Sequence, residues 1–163
     1  MAVTKSVKRK PTTKRRAVDP TERLLRKARE LGVKSFVVMP IDEIQLGFKL
    51  SKRPRDAVLP KLLTLARDNN MHARRIALSA LRHMEAWDDP RVLDLFVSSL
   101  EDPEGWCRYD AAWALGDSGT RKPLALAGLR KLARGSQGNP DLSDGDARAK
   151  SQAAESLAKL TTK

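Results

Sequence analysis

The stretch 102–116, reading DPEGWCRYDAAWALG, constrains this chain more than any other, because its grammar recurs at two further places. Asp102 is of helix-capping type, and Glu104 stands where the positive end of a helix dipole favours an acid. Arg108, Ala111, Ala112 and Leu115 follow at helical spacing, and Gly116 is placed to supply a left-handed stop. The copy 34 residues earlier has Asp68, Asn70, Arg74, Ala77, Leu78, Ala80 and Leu81. The copy 42 residues later has Asp144, Asp146, Lys150, Ala153, Ala154, Ser156 and Leu157. Each begins on an acid or amide, carries a base six residues on, and continues in a stripe of small residues and Leu. Three such helices in phase predict an internal repeat.

Each copy is preceded by another apolar helical pattern, so the repeating unit is a helix pair. Ala57, Val58, Leu62, Leu63, Leu65 and Ala66 precede the first copy, and Val92, Leu93, Leu95, Phe96, Val97 and Leu100 precede the second. Leu124, Leu126, Leu129 and Leu132 precede the third, across a Gly/Pro/Ser/Asn-rich linker at 135–143. Ahead of the pairs, Asp19-Pro20 predicts a helix start, with Leu24, Leu25, Ala28 and Leu31 as its apolar face and Gly32 as its end. Phe36 to Met39 reads as an extended connector stopped by Pro40, and 42–50 as a short helix presenting Ile44 and Phe48. The expected architecture is therefore all-α: an α-solenoid of about three helix pairs, near 55–84, 90–116 and 122–160. The three pairs make a repeat domain over 55–161, with an N-terminal helical cap over 19–54 and a disordered basic arm over 1–18.

The pattern D-x-[ED]…[RK]-x-x-A-A-x-[AS]-L, carried by Asp102, Arg108, Ala111, Ala112, Ala114, Leu115 and Gly116, resembles the short HEAT-like repeats first named from phycobilisome lyases. The resemblance covers roughly residues 55–160. It implies a right-handed helical solenoid whose usual task is binding proteins, less often nucleic acid. The motif is structural, so it implies an architecture and no active site.

Composition agrees with helix-on-helix packing. Hydrophobic residues make up 40 % of the 163, but aromatics only 4 %, so the core must be built from Ala, Leu, Val and Ile. No run approaches the ~18 apolar residues of a membrane span, and no apolar signal core opens the chain. A single cysteine, Cys107, rules out an internal disulfide. A cytoplasmic protein is expected, or a nuclear one if the source is eukaryotic, since KRKPTTKRR suits an import signal. Of the net charge of +12, more than half lies in residues 1–16, which hold seven cations and no acid. Lys8, Arg9, Lys10, Lys14, Arg15 and Arg16 thus form an electrostatic hook for anions, which Arg23 and Arg26 on the first helix would extend.

On a helical wheel Trp106, Tyr109, Asp110 and Trp113 fall away from the Ala/Leu stripe. The equivalent rows are His72, Arg75, Ile76 and Ser79 in the first copy, and Arg148, Ser151, Gln152 and Glu155 in the third. Side by side these rows predict one continuous surface, and its aromatic and Arg content is that of an interaction hot spot. Packing of Trp106 and Trp113 between helices is the competing expectation. Arg74, Arg108 and Lys150, set against Asp68, Asp102 and Asp144, predict a ladder of internal ion pairs. Catalytic groupings are lacking: His72 and His83 lie three turns apart, and Cys107 reads as a small buried packing residue. No metal or cofactor is expected. The function expected is a non-catalytic adaptor holding a partner protein, as a monomer or a subunit of a hetero-complex. A nucleic-acid binder is the alternative. A relative of HEAT-like DNA glycosylases or a bilin lyase is a remoter possibility, since no catalytic residue maps onto this sequence.

Overall fold

The structure, a computed structural model, describes residues 18–33, 37–135 and 144–162. Among them are eight helices and no strand: α1 Pro20–Glu30, α2 Pro40–Ser51, α3 Arg55–Leu65, α4 Met71–His83, α5 Pro90–Ser99, α6 Gly105–Ser118, α7 Pro123–Arg134 and α8 Asp144–Thr161. Local chemistry sets the starts. Proline stands in the first turn of α1, α2, α5 and α7, where a missing N–H costs nothing. Asp19, Asn70 and Asp89 accept from the backbone N–H two residues on, at 2.9, 3.0 and 3.0 Å. Residues 37–39 form the extended connector expected from the sequence, while Phe36, the basic arm 1–17 and most of the 135–143 linker lie outside the described residues.

The helices stack in two layers, with α1, α3, α5 and α7 in one and α2, α4, α6 and α8 in the other. The second layer packs more extensively on itself than the first. Small side chains make that possible. A methyl group on Gly47 would meet the Ser79 hydroxyl of α4 at 2.8 Å, and one on Gly116 would meet the Ser156 hydroxyl of α8 at 2.5 Å. The Ser156 hydroxyl also donates to the Ala112 carbonyl, at 2.8 Å. The second-helix layer is thus the tightly packed, inner one of the two, and the first-helix layer is the more widely spread. Between the layers lies a core of Leu and Ala in which Phe96 is the largest fully buried side chain.

Gly116 does not stop α6. That helix runs on to Ser118 and ends at Gly119, whose φ of 66° is the left-handed conformation that glycine adopts without strain. Gly116 is instead a contact residue, buried against α8. The acids opening each repeat also act one step earlier than expected. Asp68 and Asp102 accept from the N–H groups of Asn70 and Glu104, each at 2.9 Å, and it is Asn70 and Glu104 that occupy the cap positions.

Two rungs of the expected ladder of ion pairs are present, from Arg74 and Arg108, and both cross between repeats, while the Lys150 side chain lies against Gly135. Arg74 donates to the carbonyls of Asp68 and Asn69 in its own turn, at 3.0 and 3.1 Å. Its Nε and Nη2 grip the carboxylate of Asp102 in the next repeat, at 2.8 and 2.9 Å. Arg108 repeats the device, holding the carbonyls of Asp102 and Pro103 and the carboxylate of Asp146, so the third acid is Asp146 and not Asp144. At the other end Arg29 of α1 lies 3.9 Å from Asp68.

Two outcomes follow. Arg74→Ala strands a carboxylate whose side chain is only 10 % exposed, so urea unfolding should show a loss of ~3 kcal/mol; breaking the exposed Lys131–Glu101 pair should cost ~1 kcal/mol or less. Gly116→Ala, which would gain ~1 kcal/mol in an isolated helix, should lower the melting temperature here, and should lower it less when made in a Ser156→Gly background, where the clashing side chain is gone.

Candidate interaction surface

The off-stripe rows of α4, α6 and α8 lie on the inner layer, as their spacing requires, but they are not uniformly open. The first two are tied together by charge. Arg75 donates from Nε to Asp110 of α6 at 2.9 Å and from Nη1 to Glu43 of α2. His72 Nδ1 lies 2.6 Å from the other oxygen of Glu43. Three second helices thus converge on one guanidinium, which also lies 5.3 Å from the centroid of the Trp106 ring. Burial pushes the Asp110 carboxyl up to about 6 despite the opposing pull of Arg75, and Glu43 pushes it the same way.

Glu43 was not singled out by the sequence reading, although a signal is present. It shares one face of α2 with Gly47 and Leu50, both buried, and an acid on the inward face of a helix implies a buried cation opposite. Ile76, expected on the surface row, is fully buried. Ser79 is half-buried where α4 meets Gly47.

The aromatic side chains continue the row along α6. Trp106 and Tyr109 meet edge-on with centroids 5.8 Å apart, and Tyr109 and Trp113 do the same at 5.7 Å. Trp106 is half-buried against the first turn of α8, where a methyl on Gly145 would meet its ring at 2.9 Å. Trp113 is the most open of the three, at 38 %. The Arg82 guanidinium lies 3.8 Å over its ring and 3.3 Å from Asp117. On α8, Arg148, Ser151 and Glu155 are exposed and Gln152 is half-buried, its amide 3.4 Å from Ser156 Oγ.

The remaining sequence candidates lie elsewhere. Arg23 and Arg26 are exposed on α1, in the first-helix layer and apart from the aromatic row. Lys8, Arg9, Lys10, Lys14, Arg15 and Arg16 fall outside the described residues. Cys107 is fully buried, its thiol 3.8 Å from the Met71 carbonyl, and burial pushes that thiol up to about 12. Among the described residues no group of three His, Cys, Asp or Glu side chains could hold a metal ion, and no helix is long and apolar enough to cross a membrane.

Stacked helix pairs with a closely packed inner layer define an α-solenoid scaffold. A family model for HEAT repeats matches residues 44–116 and, in an overlapping alignment, 59–140. The chain belongs to the HEAT-repeat family. Repeats of this family generally mediate protein–protein interaction and are typically non-catalytic. No characterised protein matches the chain.

The Asp110 site has a pH signature. Its folded pKa, about 6, lies above the ~3.9 of an unfolded aspartate. Its contribution to stability is therefore fully present below ~pH 4 and is lost as pH rises through about 6. The stability of the native chain relative to Asp110→Asn should fall across that window in urea titrations, and a flat difference would show that Arg75 holds the carboxylate ionised.

Proposed function

We propose that this chain is a non-catalytic adaptor that docks a partner protein on its inner, second-helix surface. The observation that carries this is the exposure of Trp113 within an edge-on aromatic row, on the tightly packed second-helix layer. Tyr109 in that row, with Arg148 and Gln152 of α8, would complete the contact, while His72, Arg75 and Asp110 hold the helices that present it. Trp106 serves both roles, since one side of its ring is taken by α8. The basic residues 5–16 would add charge attraction and raise the local concentration of an acidic partner.

A second reading has its own support. Arg23 and Arg26 are exposed and continue the cationic sequence that precedes them, so a polyanion such as nucleic acid could lie along α1. Salt separates the two. Phosphate contacts weaken steeply between ~50 and ~200 mM salt, whereas docking on aromatic side chains does not.

Trp113→Ala should leave the unfolding free energy within ~1 kcal/mol of the native chain while lowering affinity for a captured partner by ~2 kcal/mol. Pull-downs with the full chain and with a variant lacking residues 1–18, at both salt concentrations, provide the measurement. Capture that survives Trp113→Ala but vanishes with the arm or in high salt would favour the polyanion.

A further inference from the structure

Apart from Trp113, the exposed large apolar side chains of the second-helix layer gather on α2, at one end of the stack. Ile41, Ile44 and Phe48 are 52, 52 and 49 % exposed and recur at helical spacing on α2, away from the Glu43, Gly47 and Leu50 face that packs inward. The Phe48 ring meets His83 of α4 edge-on at 5.9 Å, so the stripe runs directly onto the helix that carries Arg82. With Met39 just before them, these side chains expose on the order of 400 Å² of apolar surface, the size of the largest and often functional patch on a typical monomer.

Cations accompany the stripe. Lys52 Nζ lies 4.8 Å from the centroid of Phe48, as Arg82 lies over Trp113, and Lys49 is exposed one residue beyond Phe48. Beside His83 the acid is Asp117, already shared between Arg82 and Lys159, and a second acid, Asp42, stands exposed next to Ile41 at the other end of the stripe. The charges acting on His83 at the Phe48 end are two cations, Arg82 and Lys52, and one acid, Asp117, so the cations prevail there. The His83 imidazole registers that balance: burial lowers its pKa most, Arg82 and Lys52 lower it further, and only Asp117 opposes them.

We propose that this end of the inner face receives an acidic amphipathic helix from a partner protein. Its apolar side would seat on Ile41, Ile44 and Phe48, and its carboxylates would meet Lys52 and Arg82. The proposal rests on the docking function above and adds the chemistry of the occupant. An apolar stripe at helical spacing bordered by cations is complementary to a helix with the same spacing and the opposite charge. A nucleic-acid strand would use the rings and the cations but leave the aliphatic Ile41 and Ile44 unmatched.

The test is selection of displayed random peptides of about 16 residues, some four helical turns, on the full chain, with Phe48→Glu as the counter-target. Ile44→Glu replaces that variant if circular dichroism shows it unfolded. Enriched peptides should be acidic, with apolar residues three and four apart. The strongest should bind at least tenfold more weakly to Lys52→Glu, and its Glu-to-Lys counterpart should not bind. Enrichment of neutral or basic peptides, or none above the counter-target, overturns the proposal. So does an oligothymidine strand whose binding is lost in Ile44→Glu. If the selected peptides are basic while Trp113→Ala still abolishes capture of the natural partner, the docking surface stands and its acidic occupant falls.

Discussion

Adjacent repeats in this protein are locked in register by arginines that each serve two turns at once. Arg74 closes the carbonyls of its own helix entrance and grips the carboxylate of the following one, and Arg108 does the same one repeat later. Such a side chain cannot be satisfied by its own helix pair alone. Its planar fork has donors left over, and only the next repeat supplies the matching acceptor. The ladder therefore contributes position as well as energy: it fixes how far each pair is rotated and shifted against the next. The rows of side chains on the inner layer stay aligned because of it.

Close contact between second helices supplies the complementary constraint. Gly47 against Ser79, and Gly116 against Ser156, remove the bulk that would hold those helices apart. In the first-helix layer Gly128 accommodates only the tip of Leu100, and the helices there stay more widely spread. The difference in packing between the two layers thus follows from where the chain places its smallest residues, and the exposed aromatic and aliphatic side chains lie on the closely packed one.

The helix pairs and their apolar faces were legible because repetition amplifies a weak periodic signal: three copies of an acid, a base and an Ala/Leu stripe in phase leave few alternatives. The ladder was legible as a set of charges but not in its connectivity, since Asp146 and Asp144 differ only by which one a cross-repeat arginine can reach. Gly116 misled because a glycine near the end of a helical pattern suits both a stop and a close contact, and only the position of α8 decides between them. The inner face was read from wheel positions that cannot show what a neighbouring helix covers. Ile76, Arg75 and Asp110 turned inward on α2 and on each other, and Glu43, the acid that joins them, belongs to a region outside the repeat pattern.

Cys107 carries a practical consequence. Its thiol sits in the core with its pKa pushed up to about 12, so at neutral pH almost none of it is the nucleophilic thiolate. With that thiol also fully buried, the folded chain should react little with alkylating reagents even with Cys107 in place. A thiol introduced by Ser151→Cys, on the exposed row of α8, would take up a dye or spin label alone, and the inner face could be watched spectroscopically in the otherwise native protein.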